Sequence, residues 1–311
     1  MLIDAHIHIS LNGRDFAASR KMHQTSNNDI IKNQLNEYKK LGIYLLRDGG
    51  DNLNISFRAR EIAREEGMIL RTPVYAIYKR GTYGSFLGKP ITDLDEFDQE
   101  FKNLLRFQPD HLKIILTGLA DFNSFGKIDG IAFHDQQLYH MVQSAKDKDL
   151  PVMVHANSAK AVQMAVRAGA DTIEHGYYLG EEELYQMAEQ GTIWIPTLAP
   201  IGNLIAYNDS RHQSQMDNIL KIYESQTEKV IRANQIGVKI AVGSDAGSRC
   251  VNHGQGFWDE VFYLTQAGLK KEEVLKDSFV NGIQALGLRK DELDCCFKDV
   301  NNVINPGLEG M

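Results

Sequence analysis

Short apolar runs alternate with longer amphipathic segments along nearly the whole chain, and this alternation restricts the fold more than any single motif does. Repeated strand and helix units of this kind build a parallel sheet covered by helices. Strands are expected at residues 2–8, 42–47, 69–77, 111–117, 151–155, 172–174, 192–196 and 239–243. Helices are expected between them, at residues 28–41, 55–66, 93–107, 135–148, 159–168, 181–190, 216–236 and 257–267. Eight such units in a chain of 311 residues match the size of a (β/α)8 TIM barrel. An open doubly wound sheet would need a glycine-rich phosphate turn after its first strand, and His8-Ile9-Ser10-Leu11-Asn12-Gly13 does not supply one. The expected organisation is one barrel domain over residues 1–289 and a C-terminal tail over residues 290–311. Residues 78–90 and 198–215 exceed the usual connection length. Both leave carboxyl ends of strands, where barrel enzymes place their sites, so either is suited to form a lid.

The formal net charge of −7 and the lack of a long basic run argue against a nucleic-acid surface. No apolar stretch reaches the length of a membrane span, and Asp4 and His6 interrupt the short apolar opening that a secretory signal would need. The cytoplasm is the expected location. Cys250, Cys295 and Cys296 form neither a disulfide framework nor a zinc-finger spacing, and read as free thiols of a reducing compartment.

Chemistry gathers at the strand ends. His6 and His8 stand two residues apart on the first strand, where side-chain alternation sends both to one side. A lone pair of this kind is weak, but four more candidates end other strands: Lys113, His155, His175 and Asp245. Imidazole and carboxylate groups around one barrel mouth are the donors a catalytic metal needs. The histidines at 23, 111, 134, 140 and 212 have no matching partner and read as structural or surface groups, while His253 follows the eighth strand and stands near the mouth.

The set resembles the amidohydrolase superfamily. Supporting phrases are Ile3-Asp4-Ala5-His6-Ile7-His8, Arg47-Asp48-Gly49-Gly50, Ile173-Glu174-His175-Gly176, Pro196-Thr197-Leu198 and Gly243-Ser244-Asp245-Ala246. The resemblance runs from about residue 2 to Leu288, and its nearest flavour is similar to the prolidase-like and imidazolonepropionase-related members. It implies two divalent ions, with zinc the expected metal. His6, His8 and Asp245 would hold one ion and His155 and His175 the other, with Lys113 bridging them as a carbamate formed from carbon dioxide. The implied nucleophile is a hydroxide shared by the ions, with Asp245 as general base and then proton donor to the leaving group. The family's usual β-sandwich is not recognisable, so the expectation is a barrel with little or no accessory sandwich.

The expected activity is hydrolysis of an amide or cyclic amide C–N bond in a small molecule, with Arg249 suited to a substrate carboxylate. Arg80, Asn157, Tyr177, Tyr178, Arg249 and His253 are the candidate substrate-binding residues. Prolidase-like relatives carry a tyrosine two places after the strand-five histidine, where this chain has Asn157. A one-metal deaminase is the enzyme alternative, but that class places a glutamate three residues after the same histidine, where this chain has Ser158. A catalytically silent scaffold on the same fold is the alternative outside enzymes. No nucleic-acid or membrane partner is expected, and the sequence is compatible with a homo-oligomer.

Overall fold

The computed structural model describes residues 1–24 and 28–296. Strands β1 (Leu2–Ile7), β2 (Ile43–Asp48) and β3 (Ile69–Arg71) pair in parallel in that order. Strand β4 (Ala76–Lys79) lies between β5 (Gly88–Ile91) and β6 (Leu112–Ile115). Parallel pairing continues through β7 (Val152–Ser158), β8 (Thr172–Tyr178) and β9 (Ile193–Ile195). The expected eighth strand completes the ring by backbone hydrogen bonds on both sides. Trp194 N donates to Lys239 O and Ala241 N to Trp194 O, while Ala5 N reaches Val242 O and Asp245 N reaches His6 O. The architecture is the (β/α)8 barrel, with β5 an extra strand beside β4.

The third strand was expected unbroken over residues 69–77, but it divides into β3, which pairs with β2, and β4, which pairs with β6. Pro73 has no N–H for the ladder and Val74 sits at φ 65°, outside strand geometry.

The helices are α1 (Phe16–Gln24), α2 (Asn28–Lys40), α3 (Ile55–Glu65), α4 (Leu94–Leu105), α5 (Asp135–Lys146), α6 (Ala159–Ala168), α7 (Glu181–Gln190), α8 (Leu198–Ala206), α9 (Met216–Ile236), α10 (Gln255–Gln266), α11 (Lys271–Ala285) and α12 (Lys290–Cys296). Their sequences carry the reasons. Ile31, Leu35 and Tyr38 of α2 fall on one buried stripe. Asp93 accepts from Glu96 N to cap α4, and Ser158 accepts from Ala161 N to cap α6.

Four helices lie outside the sequence expectation: α1, α8, α11 and α12. The second long connection is built of regular structure: residues 198–206 form α8 and Ser210–Gln215 add a 3-10 turn. Leu198 through Leu204 are all buried, the pattern of a helix packed on every side. Pro200 is tolerated in its first turn, and Ala199 N is taken by Glu260 Oε2 at 2.7 Å. Helix α11 lies against β1, where Asn281 donates to Ile240 O. In α12, Leu293 is buried and Glu292 pairs with Arg71 at 2.6 Å. The side chains of Cys295 and Cys296 and residues 297–311 lie outside the described residues, whereas Cys250 is a half-buried free thiol. No described helix is long and apolar enough to cross a membrane.

Candidate metal centre

Five strands deliver the six expected residues to one place. His6 belongs to β1 with His8 just beyond it, Lys113 to β6, His155 to β7, His175 to β8, and Asp245 closes the stretch that completes the ring. All six line a single cavity of about 860 Å³. Two glycines make the approach feasible. A Cβ on Gly49 would lie 2.4 Å from His8 Cε1, and one on Gly243 would lie 2.8 Å from His6 Cβ. The His8 ring and the His6 Cβ therefore occupy space that any side chain at those positions would fill.

The first donor cluster is compact. His6 Nε2 lies 3.4 Å from His8 Nε2 and 3.6 Å from Asp245 Oδ1, and His8 Nε2 lies 3.3 Å from the same oxygen. On the other face of the His6 ring, Nδ1 is 2.5 Å from Glu174 Oε2, so Nδ1 carries the proton and Nε2 presents a lone pair. Two acceptors, His6 Nε2 and Asp245 Oδ1, thus face each other, and the buried Asp245 Oδ1 has no hydrogen-bond donor. That arrangement fits a cation. The second pair is close by: the His155 and His175 rings are 4.6 Å apart, and His175 is 5.1 Å from His6. His175 Nδ1 bonds Thr197 Oγ1 at 2.6 Å, which leaves its Nε2 free.

Burial and then the nearby Lys113 charge lower the His8 and His155 pKa values to about 3 and hold His6 well below its usual value. His175 is likewise held down, first by burial and then by its histidine neighbours. Neutral imidazoles are the form that ligates a metal. Burial lowers the Lys113 ammonium to about 8 and raises Asp245 to about 7. Among the described residues, Lys113 Nζ has no hydrogen-bond partner although its side chain is almost wholly buried.

The candidate substrate residues separate. Tyr177 and Arg249 line the cavity, with the Tyr177 ring stacked on His175 at 5.7 Å. The Arg249 guanidinium is already held by Asp209, at 2.6 Å to Oδ1 and 3.3 Å to Oδ2. Asn157 stands behind the cavity, its Nδ2 3.1 Å from both Gly118 O and His155 Nε2. His253 bonds Tyr38 and Leu11 O, Arg80 bonds Thr92 and Glu96, and Tyr178 packs on Phe125; none of the three lines the cavity.

Sequence reasoning passed over several contributors. Arg47 and Glu174 sit in phrases singled out above, but their pairing behind His6 was not foreseen. His212, read as structural or surface, lines the cavity and pairs with Asp209. Arg14 and Arg211 stand at the rim, and neither guanidinium has a partner among the described residues. Tyr83, delivered by the long connection after β4, lies 5.5 Å from the His155 ring. A high density of polar residues after strand ends was the available signal, and it does not rank them.

Comparison with known proteins identifies the family. The amidohydrolase family model matches residues 2–294. A stretch of 143 residues is 31% identical to an uncharacterized protein of Mycobacterium tuberculosis (strain ATCC 25618 / H37Rv), covering 45% of this chain and 38% of that protein. A stretch of 163 residues is 24% identical to ochratoxinase of Aspergillus niger, covering 50% of this chain and 32% of that protein. The chain therefore matches well under half the length of these curated relatives. Among solved structures, a Xaa-Pro dipeptidase with bound methionine in its active site superposes with a TM-score of 0.76 at 21% identity, over 92% of this chain and 75% of that one.

Proposed function

This chain belongs to the amidohydrolase family, and from that premise we propose that it is a metal-dependent hydrolase cleaving an amide or cyclic amide C–N bond. The observation that carries the reading is the convergence of His6, His8, Lys113, His155, His175 and Asp245 on one cavity. His6, His8 and Asp245 would hold one divalent ion and His155 and His175 the second. Lys113 would bridge them as a carbamate: its neutral amine bonds the carbon of carbon dioxide, one proton leaves to solvent, and the resulting carboxylate offers two oxygens. Bound zinc would supply Lewis acidity toward the carbonyl and acidify water.

The chain's own groups do the rest. Asp245, at the cavity floor, takes the proton from the attacking water and passes it to the departing nitrogen. Tyr177 and Tyr83 flank the histidine pair and shape the space above it. The Arg14 and Arg211 guanidinium groups face a cavity whose walls include Phe16, Phe86, Leu119 and Ile201. That combination suits an amide bearing both an apolar group and a carboxylate. Ser158 caps α6, so the glutamate proton shuttle of a deaminase is not reproduced there.

The test is metal analysis of protein purified with bicarbonate and zinc, followed by a screen of N-acyl amino acids, dipeptides, hydantoins and lactams. The expected result is two ions per chain and turnover of one of these classes, abolished in Asp245→Asn with the fold intact. Full activity in Asp245→Asn would remove it as the proton carrier. Ammonia release from a heterocycle, with no amide hydrolysis, would replace this reading with the deaminase.

A further inference from the structure

A buried chain of polar contacts runs from the end of α11 to the metal-facing ring of His6. Arg47 on β2 is fully buried. Its Nε donates to Ala5 O at 2.7 Å, and its Nη1 donates to Thr172 Oγ1 and to Ala285 O, each at 3.1 Å. Its Nη2 donates to Glu174 Oε1 at 2.9 Å. Thr172 Oγ1 donates to the same carboxylate oxygen at 2.5 Å. The other oxygen, Glu174 Oε2, faces His6 Nδ1.

We propose that Arg47 is the positioning residue of the first metal subsite, acting on His6 through Glu174. A carboxylate in the barrel interior can rotate and tilt, and its hydrogen bond to His6 is only as directional as its own anchorage. Arg47 and Thr172 together fix Oε1, which leaves Oε2 aimed at Nδ1 and the Nε2 lone pair aimed at Asp245. The planar guanidinium fork does this in a way an ammonium would not, because its donors leave in fixed directions toward two strands, β1 and β8, and a helix end. The inference rests on the reading of His6 as a metal ligand. A purely architectural Arg47 would tie β2 to Ala285 and leave metal binding unchanged.

Zinc affinity, measured by competition with a chromophoric chelator, and the absorption spectrum of the cobalt-loaded protein separate the two roles. Wild type would be compared with Arg47→Met, Arg47→Lys, Glu174→Gln and the Arg47→Met/Glu174→Gln double variant, with folding checked by circular dichroism. Arg47→Met is expected to weaken zinc binding about 10- to 100-fold and to shift the cobalt bands, with partial recovery in Arg47→Lys. The double variant is expected to bind no more weakly than Glu174→Gln alone, since both changes break one line of contact. Zinc affinity within about threefold of wild type in Arg47→Met, or additive losses in the double variant, would overturn the proposal. Should Arg47→Met fail to fold, Glu174→Gln and Arg47→Lys decide: wild-type affinity and cobalt spectra in both would overturn it. A wild-type protein without zinc affinity would overturn the metal-ligand reading of His6 and this inference with it.

Discussion

His175 Nδ1 lies 2.6 Å from Thr197 Oγ1, and both residues hold left-handed backbone, at φ 66° and 50°. Non-glycine residues in that region cost about 1–3 kcal/mol each, so their surroundings must hold them there. Trp194 Nε1 and Gln226 Nε2 both donate to His175 O, and Gln226 also donates to Pro196 O. Backbone strain at these two residues is thus tied to the ring that would ligate the second ion. Thr197→Val should keep the fold, lose the ring's anchor and weaken the second zinc-binding step about tenfold. Calorimetric zinc titration reads this directly, and two unchanged binding steps would refute it.

Lys113 makes a prediction with two opposite signs. A buried ammonium without a hydrogen-bond partner is a cost to the metal-free fold. Lys113→Met keeps similar bulk and removes that cost, so the metal-free variant should melt higher than the metal-free wild type. The same change removes the proposed bridging group, so protein prepared with zinc and bicarbonate should hold fewer ions than wild type. Thermal melts and elemental analysis check the two halves, and a variant that still carries two ions would sink the bridging role.

The alternation of apolar runs made the barrel legible, because each strand had to be buried and each helix needed one apolar stripe. The convergence of the six candidates on one cavity was legible for a related reason: strands of a parallel barrel all point their carboxyl ends to one face, so His, Lys and Asp residues toward those ends come together. Helix α8 escaped notice because Leu198 through Ala206 carry no polar stripe, and Pro200 and Gly202 read as loop. The fate of Arg249 was hidden because its partner Asp209 stands 40 residues away, and no local pattern announces the pairing. Arg47 and Glu174 are separated by 127 residues, so their contact is a property of the closed ring.

With Arg249 held by Asp209, the free positive charge at the cavity rim falls, among the described residues, to Arg14 and Arg211. Arg14→Met and Arg211→Met should each raise KM for a carboxylate-bearing amide about tenfold, with kcat little changed, because a distant anchor binds ground state and transition state alike. The matching neutral amide should show no such change. Steady-state kinetics on the two substrates would settle it, and equal effects on both would rule out carboxylate binding at these arginines.

Glu260 gives the fold a pH dependence that a single substitution can test. Its carboxylate accepts from Ala199 N at the start of α8, and burial raises its pKa from 4.5 to about 8. A folded pKa above the unfolded one means that the native state holds its proton more tightly. The stabilising contribution is therefore complete below about 4.5 and is lost as pH rises toward 8. Glu260→Gln keeps an oxygen acceptor for Ala199 N and removes the titration. Melting temperatures of the metal-free proteins, taken from pH 5 to 8, should fall with pH more steeply in wild type than in Glu260→Gln. Asp4, Asp48 and Asp245, also raised to about 7 by burial, slope in the same direction in both proteins, so the difference between the two curves reads Glu260 together with its coupling to Asp4 and Asp245. Parallel curves would show that Glu260 is already ionised in the fold and that its backbone donors outweigh the cost of burial.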